Sequence, residues 1–267
     1  MALGCCGLLM ASLLQGCTST SGGPQAVKTR VALIFADVTN SLKPEESQQV
    51  AQLTAQVVNS LPRRSEFVVY PIQIETQRLS PILRGTVPAA ISDKEKQAYE
   101  LAKAQRDQDL AKKIDALYNE VRKNKEDNRT CILNTLGFAK NFFQQYADPG
   151  KYDLDLVYIS DMTEECRNTP VHSLIKLNKR EINSEIRIIQ SLPDGNDLSN
   201  VRVTVIIPTA EATYSANQKL RPDMEDLKRF WLAAFNRCGF NQRSFLDNEE
   251  RLYWSIGLPK RFQSQSN

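Results

Sequence analysis

Short apolar runs alternate with amphipathic stretches along most of the chain. The run Val31–Phe35 predicts a strand buried on both faces. A helix is expected from Pro44, with acids in its first turn and apolar residues at helical spacing up to Pro62. Residues 66–75 predict a second strand, and Pro71 favours an edge position because proline has no N–H to donate.

The residue pattern changes in the middle of the chain. Residues 77–92 predict an irregular loop, and a dense mixture of charged residues, alanine and glutamine then predicts a long helix at about 92–127. Its narrow apolar stripe consists of Leu110, Ile114, Leu117 and Val121. We favour a solvated surface helix here over a surface that docks a partner, because runs of mixed charge usually serve solvation.

The second half repeats the alternation of helix and strand. Helices are predicted after Thr130, at 174–189 and from Pro222, and strands at 154–159 and 201–207. The last helix has an apolar face of Leu227, Phe230, Trp231, Ala234, Phe235 and Cys238, and Gly239 is expected to end it. This order predicts an α/β fold, a doubly wound, mainly parallel sheet with helices on both faces and a long charged helix inserted.

Composition limits the function classes. The chain has 267 residues, 41% of them hydrophobic and 24% charged, which suits one main domain, at 30–240, followed by a tail at 241–267 whose apolar residues are expected to pack. The formal net charge is only +3, so nucleic acid is not an expected partner.

The first fifteen residues are almost wholly apolar or small, yet too few to span a bilayer, which is typical of a secretory signal. The sequence Leu14-Gln15-Gly16-Cys17 resembles the bacterial lipobox. The resemblance implies that 1–16 is a signal peptide and that Cys17 carries a lipid anchor. Residues 17–29 would then be a flexible tether, holding the domain in the cell envelope and facing the periplasm. The absence of Asp after Cys17 favours the outer membrane by the same resemblance.

Polar oxygens follow the predicted strands. Asp37, Thr39 and Ser41 come directly after the first strand, Asp161 follows a later one, and Thr130 precedes a helix. In open α/β sheets, ligands bind outside the carboxyl ends of the strands. Carboxylates and hydroxyls are hard donors that suit Mg²⁺, or else Mn²⁺ or Ca²⁺, rather than zinc.

The spacing D-x-T-x-S from Asp37 to Ser41 resembles the D-x-S-x-S metal-ion-dependent adhesion site (MIDAS) of von Willebrand factor A (VWA) domains. A lone threonine before a later helix and an aspartate after a later strand complete that pattern, in order. The resemblance implies that Asp37 binds the metal through water, that Thr39, Ser41 and Thr130 are hydroxyl ligands, and that Asp161 is a second carboxylate. It also implies that an Asp or Glu of a protein partner completes the coordination.

These features favour a lipid-anchored binding module in a bacterial envelope assembly rather than an enzyme. The alternatives are a VWA-like scaffold that binds no metal and acts through its long helix, and a metal-dependent hydrolase. The hydrolase is disfavoured because His172, the one histidine, has no partner motif beside it, and because no nucleophile motif occurs. Glu164 and Glu165 are interpreted as complements of a helix dipole, or as an acidic rim.

The six cysteines fit an exported protein. Cys5 and Cys6 would leave with the signal, and the spacings match no zinc motif. If the loops bearing Thr130 and Asp161 meet at a metal, Cys131 and Cys166 could lie close enough for a disulfide. The hypothesis leaves Cys238 as a buried thiol.

Overall fold

The computed structural model describes residues 27–39, 44–73, 80–123, 129–164, 198–208, 224–240 and 252–256. The strands are β1 (Thr29–Asp37), β2 (Glu66–Ile72), β3 (Leu83–Thr86), β4 (Tyr152–Ile159), β5 (Val201–Ile207) and β6 (Leu252–Ile256). The helices in these ranges are α1 (Pro44–Asn59), α2 (Asp93–Lys123), α3 (Ile132–Gln144) and α4 (Met224–Arg237).

The strands form one sheet in the order β3-β2-β1-β4-β5-β6. Every neighbouring pair is parallel except β2 and β3. The chain winds outward from β1 to one edge, then returns to β4 and winds toward the other edge. The predicted doubly wound, mainly parallel sheet is therefore confirmed.

Alternate residues of β1 face opposite sides of the sheet, and both sides are covered. Val31, Leu33 and Phe35 pack in a cluster with residues of α3 and α4. Ala32 and Ile34 pack in a second cluster with residues of α1 and α2. Because a strand buried on both faces needs apolar residues at every position, β1 appears in the sequence as a continuous apolar run.

The predicted edge position of β2 is wrong. β3, within the segment predicted to be a loop, pairs antiparallel with β2 from Glu66 to Val69 and leaves β2 inside the sheet. Pro71 lies two residues beyond this paired segment, so its missing N–H removes no bond to β3.

The predicted tail also contributes to the sheet. Residues 252–256 form β6, which pairs parallel with β5 beyond the domain end predicted at 240. As predicted, α4 buries its apolar face, and Gly239 follows it with a positive φ of 88°. No helix within the described ranges is long and apolar enough to cross a membrane.

α2 packs antiparallel to α1. Near its middle, Arg106 donates a hydrogen bond to Asn59, the last residue of α1, and lies over the ring of Phe67. Farther along, Leu110, Ile114, Tyr118 and Val121 are buried, so the predicted stripe packs into this domain's own core. Leu117 of that stripe is partly buried and packs against the same cluster.

The first thirteen residues of α2, 93–105, contain no buried residue. They precede Arg106, which lies beside the last turn of α1 at the amino ends of the parallel strands. We call 93–105 the α2 arm. At 1.5 Å per residue, the arm extends about 20 Å.

Candidate metal centre

The two acids of the predicted site lie at the point where the sheet reverses its winding. Asp37 is the last residue of β1, and Asp161 follows the end of the neighbouring strand β4 by two residues. The crevice between two such strands is where open α/β sheets bind ligands. Both carboxylates are buried, Asp37 at 0% exposure and Asp161 at 3%.

Asp37 accepts three hydrogen bonds. Its Oδ1 accepts from the backbone N–H of Thr39 at 3.0 Å and from the Thr39 hydroxyl at 2.6 Å. Its Oδ2 accepts from the Ser160 hydroxyl at 2.6 Å. The carboxylate is thereby fixed by its own loop and by the loop after β4.

Thr130 joins this group from another part of the chain. It lies just before α3, is fully buried, and its Oγ1 is 2.5 Å from Oγ1 of Thr39. Three of the segments that the sequence analysis assigned to one site therefore meet.

The loop after β4 is held by several polar contacts. Ser160 Oγ accepts from the N–H of Met162 at 2.9 Å, and Asp161 Oδ1 accepts from the N–H of Thr163 at 2.9 Å. Met162 has a φ of 61°, a backbone conformation that residues with a side chain rarely adopt. The indole N–H of Trp231 on α4 donates to the Met162 carbonyl at 2.8 Å. These bonds fix the backbone that carries Asp161.

The two acids raise the free energy of each other's ionised form. The pKa of Asp37 rises from 3.8 to about 7, first because burial removes water from the carboxylate and second because Asp161 is negatively charged. The hydrogen bonds from Ser160 and Thr39 act in the opposite direction and only partly offset these effects. A cation placed beside both carboxylates would favour their ionised forms.

The donor set fits a hard divalent cation. Within the described ranges, no group of three or more His, Cys, Asp or Glu residues could hold a metal ion. The predicted set has only two acids, and its other donors are the hydroxyls of Thr39 and Thr130. Oxygen donors of these two kinds are those that Mg²⁺ and Ca²⁺ take in proteins.

Four of the five predicted ligands, Asp37, Thr39, Thr130 and Asp161, lie at this one edge, and Ser41 lies outside the described residues. Ser160 donates to Asp37, a role that was not predicted from the sequence. Its position directly before Asp161, at the end of an apolar run, was the available signal.

Glu164 is not an exposed acidic rim. Its side chain is buried, and its Oε2 accepts from the N–H of Leu133 in the first turn of α3 at 2.8 Å. It therefore complements the dipole of a helix that begins 32 residues earlier. Glu165 and His172 lie outside the described residues.

The structure gives the state of two cysteines. Cys131 is disulfide-bonded and immediately precedes α3. Cys238 is a buried thiol that forms no disulfide. Cys17 and Cys166 lie outside the described residues, so the pairing of Cys131 with Cys166 stays a prediction.

Solved structures of low sequence identity resemble this chain. A von Willebrand factor type A protein from Catenulispora acidiphila is 10% identical with a TM-score of 0.41, and the match covers 78% of this chain and 37% of that one. The SpRpn10 VWA domain is 12% identical with a TM-score of 0.34, covering 87% and 89%. Proximal thread matrix protein 1 of the mussel byssus is 10% identical with a TM-score of 0.32, covering 79% and 46%.

This chain thus spans little more than a third of the length of the first protein. No protein-family model matches the sequence, and no curated protein matches it. All three TM-scores are below 0.5, and it is the chain's own strand order that defines its fold.

Proposed function

We propose that this chain is a VWA-type binding module that holds a divalent cation and uses it to recruit a protein partner. The observation that carries the proposal is the burial of Asp37 beside Asp161 where the winding of the sheet reverses. Two buried carboxylates of like charge lower the stability of a domain without a counter-ion, and a cation at that place offsets the cost.

In this proposal Asp37, Thr39, Thr130 and Asp161 hold the ion, together with Ser41. When bound, the cation supplies positive charge and a coordination position for an oxygen of the partner. Ser160 and the N–H of Thr39 orient Asp37, and the N–H of Thr163 orients Asp161. The task of these residues is to bind and orient, so we propose a binding module rather than an enzyme.

The direct test is calorimetric titration of Mg²⁺ and Mn²⁺ into the purified protein and into an Asp37→Ala/Asp161→Ala double variant. We expect micromolar to millimolar binding that the double variant loses. Asp153→Asn is the matched control, because Asp153 is a half-exposed carboxylate on β4 with an ion pair to Lys28. Undetectable binding to the unmodified protein would overturn the proposal.

The partner is proposed to contribute an aspartate or glutamate to the ion. Crosslinking in cells, followed by mass spectrometry, compares proteins captured by the unmodified chain and by the double variant. Partners that depend on the ion are expected to be lost both in the variant and after chelation. A partner set unchanged by either treatment contradicts recruitment through the ion.

We further propose that Cys17 carries a lipid anchor and that the domain faces the periplasm, at the outer membrane. The support is the lipobox-like sequence alone. Metabolic labelling with a radioactive fatty acid is expected to label the chain and not a Cys17→Ala variant. Equal labelling of both would exclude Cys17 as the acceptor.

A scaffold that needs no metal is the second candidate, and the α2 arm favours it. Leu101 on this arm is 73% exposed, one of two large hydrophobic side chains so exposed in the described residues. If the arm binds the partner, Leu101→Glu removes partner capture and the double aspartate variant keeps it. The opposite result supports the metal-dependent module.

A further inference from the structure

The N-cap residue of α3 does not cap the helix with its side chain. Cys131 occupies the N-cap position without a side-chain hydrogen bond to the helix, and the first turn contains no acidic residue. The first N–H groups of a helix have no partner within the helix. The N–H of Leu133 is one of these groups.

Glu164 supplies the missing acceptor from the loop after β4. Its Oε2 lies 2.8 Å from the backbone nitrogen of Leu133, and its side chain is only 2% exposed. A carboxylate that accepts from a helix N-terminus makes a strong hydrogen bond and complements the helix dipole. The contact is between segments 31 residues apart in sequence, so it fixes tertiary structure and not only a helix end.

This hydrogen bond joins two of the three segments that carry predicted ligands, those of Thr130 and Asp161. Thr130 lies three residues before Leu133, and Asp161 lies three residues before Glu164. The Thr130 hydroxyl must stay beside that of Thr39, which in turn donates to Asp37. A shift of the α3 start would carry Thr130 away from this group.

We infer that Glu164 is a positioning residue of the proposed cation site: it caps α3 and thereby holds Thr130 at the carboxylates. The effect of Glu164 on metal binding rests on the proposed function. The capping of α3 rests on the hydrogen bond between Glu164 and Leu133. Glu164 acts here through the backbone of α3 and not as a ligand of the ion.

The experiment compares Glu164→Ala, Glu164→Gln and Glu164→Asp. Glutamine keeps an oxygen that can accept from Leu133 but has no charge, whereas aspartate keeps the charge but is one methylene too short. The measurements are amide hydrogen exchange of Leu133 without metal and the affinity for Mn²⁺. Glu95→Ala is the matched control, because Glu95 accepts hydrogen bonds from Ser92 at the start of α2, on the α2 arm.

We expect Glu164→Ala and Glu164→Asp to accelerate exchange of Leu133 and to weaken Mn²⁺ binding about tenfold, as is usual when the support of a metal ligand is lost. Glu164→Gln, which keeps the acceptor but loses the charge, is expected to have a clearly smaller effect than these two variants in both measurements, and Glu95→Ala to leave both unchanged. Glutamine keeps the hydrogen-bond acceptor without the charge, and aspartate keeps the charge on a shorter side chain. Comparison of these two variants therefore tests the inference even if the alanine variant does not fold.

Two results overturn the inference. If Glu164→Gln weakens Mn²⁺ binding while Glu164→Asp preserves it, the charge acts on the ion directly. If Leu133 exchanges faster in the variants with unchanged affinity, the cap does not position Thr130. A wild-type protein that binds no Mn²⁺ overturns the proposed function and the role of Glu164 in it, while Leu133 exchange still shows whether the cap exists.

Discussion

Asp37 and Asp161 are two acids that lie together in a site from which water is largely excluded. Three donated hydrogen bonds orient Asp37, yet its pKa still rises to about 7. A carboxylate chosen only for packing would be neutral or matched with a cation, because burial of like charges is costly. The hydrogen bonds to Asp37 therefore offset only part of the cost of burying this carboxyl group beside a second acid.

The raised pKa of Asp37 predicts how stability depends on pH without metal. A carboxyl group that binds its proton more tightly in the folded state stabilises that state fully below its unfolded pKa. This contribution is lost as the pH rises from about 4 to about 7, because the native carboxyl ionises across that range. Urea unfolding across this range, with and without Mg²⁺, measures it.

In the presence of Mg²⁺, the folded state is expected to lose less stability between pH 4 and about 7, because the ion binds the ionised carboxylate of Asp37. An unchanged pH profile in saturating Mg²⁺ would contradict a site at Asp37.

Asp161→Asn is expected to change stability and metal affinity in opposite senses. Asparagine removes the charge that raises the pKa of Asp37 and keeps an oxygen for the N–H of Thr163. The free energy of unfolding at pH 8 without metal should rise by about 1 kcal/mol, the equivalent of a pKa shift of roughly one unit. Affinity for Mg²⁺ should fall.

Chemical denaturation, calorimetry and an NMR titration of the Asp37 carboxyl group test this prediction. Asp153→Asn provides the comparison for removal of a carboxylate on β4, away from the site. A loss of stability in Asp161→Asn at pH 8 would mean that Asp161 has a structural role.

Most of the candidate ligands could be found in the sequence because they follow strands or precede a helix. The apolar run of β1 predicts a strand that ends at Asp37, and the apolar run of β4 predicts one that ends just before Asp161. Thr130 needed the resemblance to VWA domains, since a threonine before a helix is common. Glu164 was interpreted as a complement of a helix dipole, but the helix could not be identified, because the partner is a backbone N–H whose position depends on the packing of α3.

At the scale of elements, the start of α3 has a second restraint besides the hydrogen bond to Glu164, and this one is covalent. Cys131 is disulfide-bonded directly beside Thr130. We predict that its partner is Cys166, since Cys238 forms no disulfide and the other cysteines are expected to be removed or lipidated. Peptide mapping without reduction should recover a Cys131–Cys166 crosslink, and Cys238 should resist alkylation until the protein unfolds. An alkylatable Cys131 in protein from the periplasm would refute this pairing.

β3 depends on a close approach that only glycine permits. A Cβ on Gly85 would lie 2.7 Å from Cζ of Phe67, which is buried in the cluster beneath α1 and α2. Phe67 also lies under the guanidinium group of Arg106, so the ring has contacts on more than one side.

Gly85→Ala is therefore expected to destabilise the protein by about 1–3 kcal/mol, as overpacking of a core usually does. Thermal or urea unfolding measures the change. Thr86→Ala, at an exposed position of the same strand, should cost less than about 1 kcal/mol. Equal effects of the two substitutions would show that Phe67 can move aside.

The elements missed in the sequence are short strands at the sheet edges. β3 has four residues and β6 five, so neither is long enough for its periodicity to identify a strand, although most residues of β6 are apolar. β3 includes Arg84 and Gly85, neither of which favours a strand by itself. The long strands and helices were found because their buried faces require apolar residues at regular spacing.

At the scale of the molecule, α2 has a buried part and an exposed part. Leu110 lies in the core at 1% exposure, whereas Leu101 on the α2 arm is 73% exposed. Leu110→Ala should cost about 2–5 kcal/mol of unfolding free energy. Leu101→Ala should change it by less than about 0.5 kcal/mol.

Urea unfolding of the two variants measures this difference directly. The same substitution at two positions of one helix controls for helix propensity. A large loss of stability in Leu101→Ala would mean that the α2 arm packs against the domain.

The α2 arm and the start of β1 lie at the same end of the sheet, opposite the acids. If Cys17 carries a lipid, ten residues, 17–26, connect the bilayer to the described domain, and a fully extended chain of that length reaches about 35 Å. The arm, at about 20 Å, is shorter than this reach. If the anchor proposed at Cys17 exists, the arm lies on the same side of the domain as that anchor, and the sheet edge that carries Asp37 and Asp161 lies on the opposite side.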